Sequence, residues 1–309
     1  MLTAPPPPSG GRRKVSPLST RLPAVAQAPN LLLIRGLGHS GTTILDLILG
    51  SHSRMLGLGE AVRILEPIRP GDEQRGPAQL RLELRHTRRC TCGATAAQCP
   101  LWGPLLEWLP GHDERPIGDK LQRLLAQVQA LSPTAQPISW AVDSYQSDLE
   151  VPLLPLPGVE VRMIHLVRDV RSWVHSRAGG SRSAPGAAWR SLARWARTNA
   201  QVAEVLRRSG QPVFQLGYEE LALAPEAALR KLCSWLELDY EPTMLSPAQT
   251  IEGSHILSGN RMRFDPSKSS AIRYDGKWLS GSHPWIGLAA QLPPLQAMNR
   301  RLVYSNHLL

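Results

Sequence analysis

Apolar residues first gather at 31–34 (LLLI), a short continuous run bounded by glycines on its far side, the signature of a buried strand. Before it, residues 1–29 hold seven prolines, four of them consecutive at 5–8, and no helical or strand period. That stretch reads as a disordered, proline-rich tail. After the loop RGLGHSG, the segment 43–49 sets Ile44, Leu47 and Ile48 on one helical face and turns Asp46 away. Further strands are expected at 138–142, 159–167 and 212–216, and helices at 119–131, 171–177, 187–208 and 225–236. The last helix opens on Pro225, a suitable first helical residue. Strands alternating with helices predict an α/β fold, a parallel sheet flanked by helices on both faces. With no repeat of fixed period and no internal linker, one domain at 30–309 follows the tail.

The 309 residues carry 35 basic and 25 acidic side chains, a net charge of +10, and Asp46 is the first acid along the chain. The arginines are scattered and aromatic residues make up only 5%, unlike the dense aromatic-interleaved stripe of a nucleic-acid binder. The charge therefore suits a solvated basic surface or a pocket for a multiply anionic ligand. No apolar run approaches the roughly 18 residues of a membrane span, and no apolar leader opens the chain. Four cysteines cannot frame a disulfide scaffold, so a reducing, cytoplasmic setting is expected. Oligomeric state leaves no trace in the sequence.

Chemistry concentrates in the loop Gly36-Leu37-Gly38-His39-Ser40-Gly41-Thr42-Thr43. It keeps the glycine–four–glycine spacing of a phosphate loop, but Thr42 stands where a nucleotide triphosphatase has lysine. Backbone amides of such a loop and of the first helical turn form an anion nest, and the helix dipole adds to it. Without the lysine that reaches the outer phosphates, the nest suits a shorter anion than a triphosphate. A second element lies at the end of the strand at 159–167. Arg168 falls at its carboxyl end, where open α/β sheets bind ligands, and a guanidinium grips phosphate with two bonds. Ser176, eight residues on, is placed by the following helix to reach the same oxygens.

GLGHSGTT after a strand, followed about 130 residues later by LVRDVRSWVHS, closely resembles the sulfotransferase superfamily of the bacterial, phosphate-loop type. The resemblance extends to Gly217-Tyr218-Glu219-Glu220-Leu221, to Cys90-Thr91-Cys92-Gly93 with Cys99-Pro100 and Trp102, and to His255, Gly259-Asn260 and Arg263. It implies 3′-phosphoadenosine 5′-phosphosulfate (PAPS) as co-substrate, with no metal. The loop (Gly36, Gly38, His39, Ser40, Gly41, Thr42, Thr43) would take the 5′-phosphosulfate, Arg168 and Ser176 the 3′-phosphate, and Tyr218 would lie near the adenine. His39 stands where the family usually has lysine or arginine, and Gln146 where relatives often have lysine. The implied reaction moves a sulfuryl group to a hydroxyl of an unidentified carbohydrate, lipid, peptide or small alcohol.

An acceptor hydroxyl needs a base. Glu60 in LGLGEAVR matches the glutamate that serves as base in tyrosylprotein and several carbohydrate sulfotransferases, with Arg63 one turn on. His39 would donate to the transferring group, a neighbouring anion favouring its charged form. His52 and His255 are reserve bases. Asp143 ends an apolar strand as the magnesium-holding aspartate of a kinase does, so a small-metabolite kinase is one alternative and a non-catalytic nucleotide-binding module another. Cys90, Cys92 and Cys99 lack a standard zinc spacing, and a fourth ligand would have to be His86 or a distant residue. A loop of reduced thiols is expected there, and Cys233, Trp173, Trp189, Trp195 and Trp235 are expected in the core.

Overall fold

Leu31 to Ile34 form the middle of strand β1 (Asn30–Gly36), and each is 1% exposed or less. The computed structural model describes residues 28–67, 85–133, 136–178, 185–250, 253–281 and 284–308. The proline-rich stretch up to 27 lies outside the described residues, as does 68–84. Around β1 stand β2 (Met55–Gly57), β3 (Trp140–Asp143), β4 (Val161–Val167) and β5 (Val213–Gly217). All pairings are parallel, in the order β2-β3-β1-β4-β5.

Alternation along the strands decides what each face covers. Leu31 and Leu33 point into one apolar cluster with Ala141, Val161 and Met163, while Leu32 and Ile34 point into another with Val142, Ile164 and Leu166. Helices α2 (Ala61–Leu65), α3 (Trp102–Trp108) and α4 (Ile117–Leu131) cover the first face. The second is covered by α1 (Thr42–Gly50), α7 (Tyr218–Leu223) and α8 (Pro225–Trp235). Each such leucine or isoleucine contributes roughly 1.5–3 kcal/mol by leaving water. This is the α/β arrangement read from the periodicity, with helices on both faces of a parallel sheet.

Between them, α5 (Val170–Ala178) follows β4, and α6 (Pro185–Ser209) carries Val202 and Leu206 back onto the first face. The chain leaving β1 therefore turns to one face and the chain leaving its neighbour β4 reaches the other. That reversal opens a crevice at the carboxyl ends of these two strands, where ligands of open α/β sheets bind. Gly36 is needed here, because a Cβ would stand 2.2 Å from the Leu166 carbonyl oxygen of β4.

Two expectations are corrected. Asp46 does not face solvent: it is 1% exposed, because α1 is packed on β2 and Gly57, lacking a side chain, leaves room for the carboxyl. Trp189 is half exposed, since the buried positions Ala188, Leu192 and Trp195 step along α6 by four and three residues and Trp189 falls one off that stripe. Trp173, Trp195 and Cys233 are buried as expected, and Trp235 is partly so.

Candidate functional site

The loop leaves β1 and enters α1 through Gly41, whose φ of 94° is the left-handed conformation glycine adopts without strain. His39 also has positive φ, at 71°. Within the loop Ser40 N–H donates to the Leu37 carbonyl at 3.1 Å. The first-turn amides of α1 have no carbonyl partner inside the helix, and Gly41 offers no side-chain cap. They are therefore available to an anion, alongside the hydroxyls of Thr42 and Thr43. Ser40 and Thr42 are buried, Gly38, Gly41 and Thr43 half-buried, and His39 exposed.

Arg168, at the end of β4, reaches this loop. Its Nη1 donates to the His39 carbonyl at 3.1 Å, its Nη2 to Asp275 at 2.8 Å and its Nε to Ser172 Oγ at 2.8 Å. The guanidinium lies 5.1 Å from the centre of the Tyr218 ring. Tyr218 in turn packs on Gly41, where a Cβ would fall 2.4 Å from its ring, and its hydroxyl donates to the Arg273 carbonyl at 2.7 Å. Trp173 Nε1–H donates to the Gly38 carbonyl at 2.8 Å, tying α5 to the loop. The structure thus brings the loop, Arg168 and Tyr218 together. Ser176 is not part of that contact: the serine on Arg168 is Ser172, and Ser176 sits one helical turn further on, exposed.

Partial burial, then the positive charges of Arg177 and Arg168, lower the pKa of His39 below the ordinary histidine value. Arg177 went unrecognised in the sequence. With Arg190, Ser191 and Arg194 it lines a cleft of about 550 Å³ between α5 and α6. Scattered arginines become a cationic wall only once two helices are packed together.

Glu60 begins α2 with its side chain 12% exposed. Its Oε2 accepts from Arg63 Nη1 at 2.8 Å and from Ser258 Oγ at 3.1 Å, and its N–H donates to the Ser258 carbonyl at 3.0 Å. Arg63 is therefore the partner its spacing suggested. The residues after β3 lie between Glu60 and the loop. Ser144 N–H donates to the Gly59 carbonyl at 2.7 Å, Ser144 Oγ to Asp46 at 2.6 Å, and Gln146 Nε2 comes to 3.7 Å from where a Gly38 Cβ would stand. Burial is the main force raising the Asp46 carboxyl, to about 8, and the nearby Asp143 and Glu60 charges add to it.

Both carboxylate oxygens of Asp143 are engaged within the protein. It is fully buried, its Oδ2 held by Arg35 at 2.9 Å and its Oδ1 by the Val62 N–H at 2.9 Å. Arg35 also binds Asp148 at 2.6 Å. These bonds join β1 to the end of β3 and the turn beyond it, and removing one member of such a buried set leaves an uncompensated charge.

The reserve bases are committed elsewhere. His52 lies past the far end of α1, with Nε2 on the Asp239 carbonyl and Nδ1 accepting from Arg54 N–H. His255 faces the cysteines. Cys90, Cys92, Cys99 and His255 place four ligand atoms within 4.8 Å of one another, whereas His86 is exposed. The expected metal-free thiol loop therefore has an imidazole in it, from 156 residues away.

A glycine loop thus leads from β1 into α1 at the switch point of a parallel α/β sheet, and Arg168 from the end of the neighbouring strand bonds to its backbone. The chain belongs to the sulfotransferase family, whose profile matches residues 30–242. It is similar to the solved sulfotransferase domain from the Synechococcus PCC 7002 olefin synthase, with 19% identity over 90% of this chain and 95% of that one, at a TM-score of 0.47. It is also similar to the sulfotransferase domain from the curacin biosynthetic pathway, with 19% identity over 91% of this chain and 98% of that one, at a TM-score of 0.48. No curated protein sequence matches it. Among the described residues no helix is long and apolar enough to cross a membrane.

Proposed function

We propose that this sulfotransferase takes its sulfuryl group from PAPS and delivers it to a hydroxyl of a small or macromolecular acceptor. The observation that carries the reading is the direct contact between the two anion-binding elements: Arg168 donates to the backbone of the loop that caps α1. A nucleotide with phosphates at both ends of its ribose needs two such elements side by side. The open amides around Gly41, with no capping side chain, fit an anion of that kind.

In this reading Gly36, Gly38, Ser40, Gly41, Thr42 and Thr43 hold the 5′-phosphosulfate, Arg168 the 3′-phosphate, and Tyr218 flanks the adenine. Ser172 steadies the Arg168 fork, and Ser176 is the outer edge of that subsite. PAPS supplies the activated sulfuryl group. The protein's own share is alignment and charge stabilisation. Glu60 accepts the proton of the acceptor hydroxyl while Arg63 and Ser258 hold its carboxylate in one orientation. His39, its charged form favoured by the bound anion, donates to the oxygen on which negative charge grows. Positive charge comes from the loop amides, His39 and the arginines, the part that magnesium plays in a kinase.

The test is release of 3′-phosphoadenosine 5′-phosphate (PAP) from PAPS in the presence of a hydroxyl acceptor panel spanning glycans, lipids, peptides and alcohols. Glu60→Gln is expected to lower kcat at least a hundredfold while PAP affinity stays within about twofold of wild type. A fully active variant would remove Glu60 from the role of base.

A further inference from the structure

Cys90, Cys92, Cys99 and His255 converge in a cluster to which the proposed transfer reaction assigns no role. Cys99 Sγ lies 3.7 Å from Cys90 Sγ, 3.8 Å from Cys92 Sγ and 3.3 Å from His255 Nδ1. A disulfide would need sulfurs at about 2.0 Å, so no pair of these is bonded. Tetrahedral zinc with Zn–S of about 2.3 Å and Zn–N of about 2.0 Å sets sulfurs about 3.8 Å apart and sulfur and nitrogen about 3.5 Å apart. The three spacings from Cys99 are close to these values, and all four ligand atoms lie within 4.8 Å of one another, near enough to share a single ion. We propose that these four side chains bind one zinc ion as a closed, structural Cys3His site.

The backbone around the cluster is built to hold ligands. Gly93, at φ 89°, turns the chain so that Cys90 N–H donates to the Ala94 carbonyl at 2.9 Å and Gly93 N–H to the Cys90 carbonyl at 3.0 Å. This tight knuckle presents Cys90 and Cys92 together, and a short 3-10 turn at Ala96–Gln98 brings Cys99 back to them. His255 is fixed from both sides, by Trp102 Nε1–H donating to its carbonyl at 2.6 Å and by the Ile256 N–H donating to Thr91 Oγ1 at 2.9 Å. Cys90 and Cys99 are buried and all four positions belong to protein, so no coordination place is left for substrate.

Charge supports the same conclusion. Binding releases three thiol protons to solvent and gives three thiolates, a neutral imidazole and Zn²⁺, one net negative charge. Arg263 is 1% exposed and lies close enough to Glu60 and to Cys90 for their charges to interact. Among the described residues it forms no carboxylate ion pair, and its Nε has no partner. Its two Nη atoms donate to the Leu257, Gly259 and Asn260 carbonyls, and the Glu60 carboxylate and an anionic metal cluster would both face its charge.

The site would staple two distant stretches. The chain after His255 runs through Ile256 and Leu257 to Ser258, which bonds Glu60 at both its backbone and its side chain. The zinc knuckle therefore anchors the segment that orients Glu60, without touching the reacting groups itself.

The experiment is metal analysis of the purified full chain, without a polyhistidine tag, by mass spectrometry. One zinc per chain is expected, released in step with titration of three thiols by a mercurial reagent and captured by a colorimetric chelator. Cobalt substitution should give thiolate-to-metal charge-transfer absorption and the intense visible bands of a tetrahedral site. Cys99→Ser should lose the metal; because that variant can fail to fold, His255→Cys is the companion, expected to retain zinc with four thiolates and a changed cobalt spectrum. Metal-free protein whose thiols react freely while it stays folded would overturn the proposal. So would a Cys90–Cys99 disulfide in the protein as isolated.

Discussion

Replacing Asp46 by asparagine tests whether a buried acid behind the loop is neutral. Its carboxyl is 1% exposed, takes a 2.6 Å hydrogen bond from Ser144 Oγ on Oδ2, and leaves Oδ1 without a partner beside Gly57. Burial raises its pKa from 3.8 to about 8. A pKa higher in the folded state than in the unfolded one means stability that is fully present below about pH 4 and is lost as pH rises towards 8. At 1.36 kcal/mol per unit, the loss at Asp46 is about 3 kcal/mol at pH 6 and about 5 kcal/mol at pH 7.5. Asparagine has the shape and neutrality of the protonated acid and no such dependence. The stability of Asp46→Asn minus that of wild type should therefore grow by about 2 kcal/mol between those two pH values. Urea unfolding of both proteins at each pH measures it, and the subtraction cancels titrations common to both, such as that of Glu219, which burial raises to about 7. A difference that does not change with pH would mean that the native carboxyl is ionised, refuting the argument from burial.

Gly41→Ala should destabilise the protein by 2 kcal/mol or more, from about 1–2 kcal/mol of left-handed strain plus the displaced Tyr218 ring, which a Cβ would meet at 2.4 Å. Thermal unfolding measures this, and adding Tyr218→Ala in the same chain should recover only the steric part; full recovery would deny the strain. Asp275→Asn releases the Arg168 Nη2 from its 2.8 Å carboxylate partner and should tighten PAP binding a few-fold. Weaker binding would mean that Asp275 aims the guanidinium rather than competing for it.

The sequence made β1, the loop and α1 readable because all their signals are local: a four-residue apolar run, three glycines and a helical stripe. Arg168 was readable for the same reason, as the residue ending a strand. Tyr218 needed the family resemblance, since nothing in its neighbours announces a ring packed against Gly41. What stayed hidden depends on contacts between distant segments. Strand β2 has three residues, too few for a period. Asp46 looked like the polar back of an amphipathic helix, and only the Gly57 strand beneath it makes that back an interior. Ser172 and Ser176 differ by one helical turn, and which one meets Arg168 is set by how α5 leaves β4. Arg35, with its two buried carboxylates, and His255, 156 residues from its cysteine partner, are invisible to any motif of fixed spacing.

The claim on which the functional reading rests is that one pocket holds a nucleotide by phosphates at both ends. Calorimetric titration of the protein with PAP beside ATP, without added metal, addresses it directly, with Arg168→Ala as the second sample. Saturable PAP binding, ATP binding at least tenfold weaker, and loss of that preference in Arg168→Ala are predicted. Equal or tighter binding of ATP, or a PAP affinity indifferent to Arg168, would contradict the account.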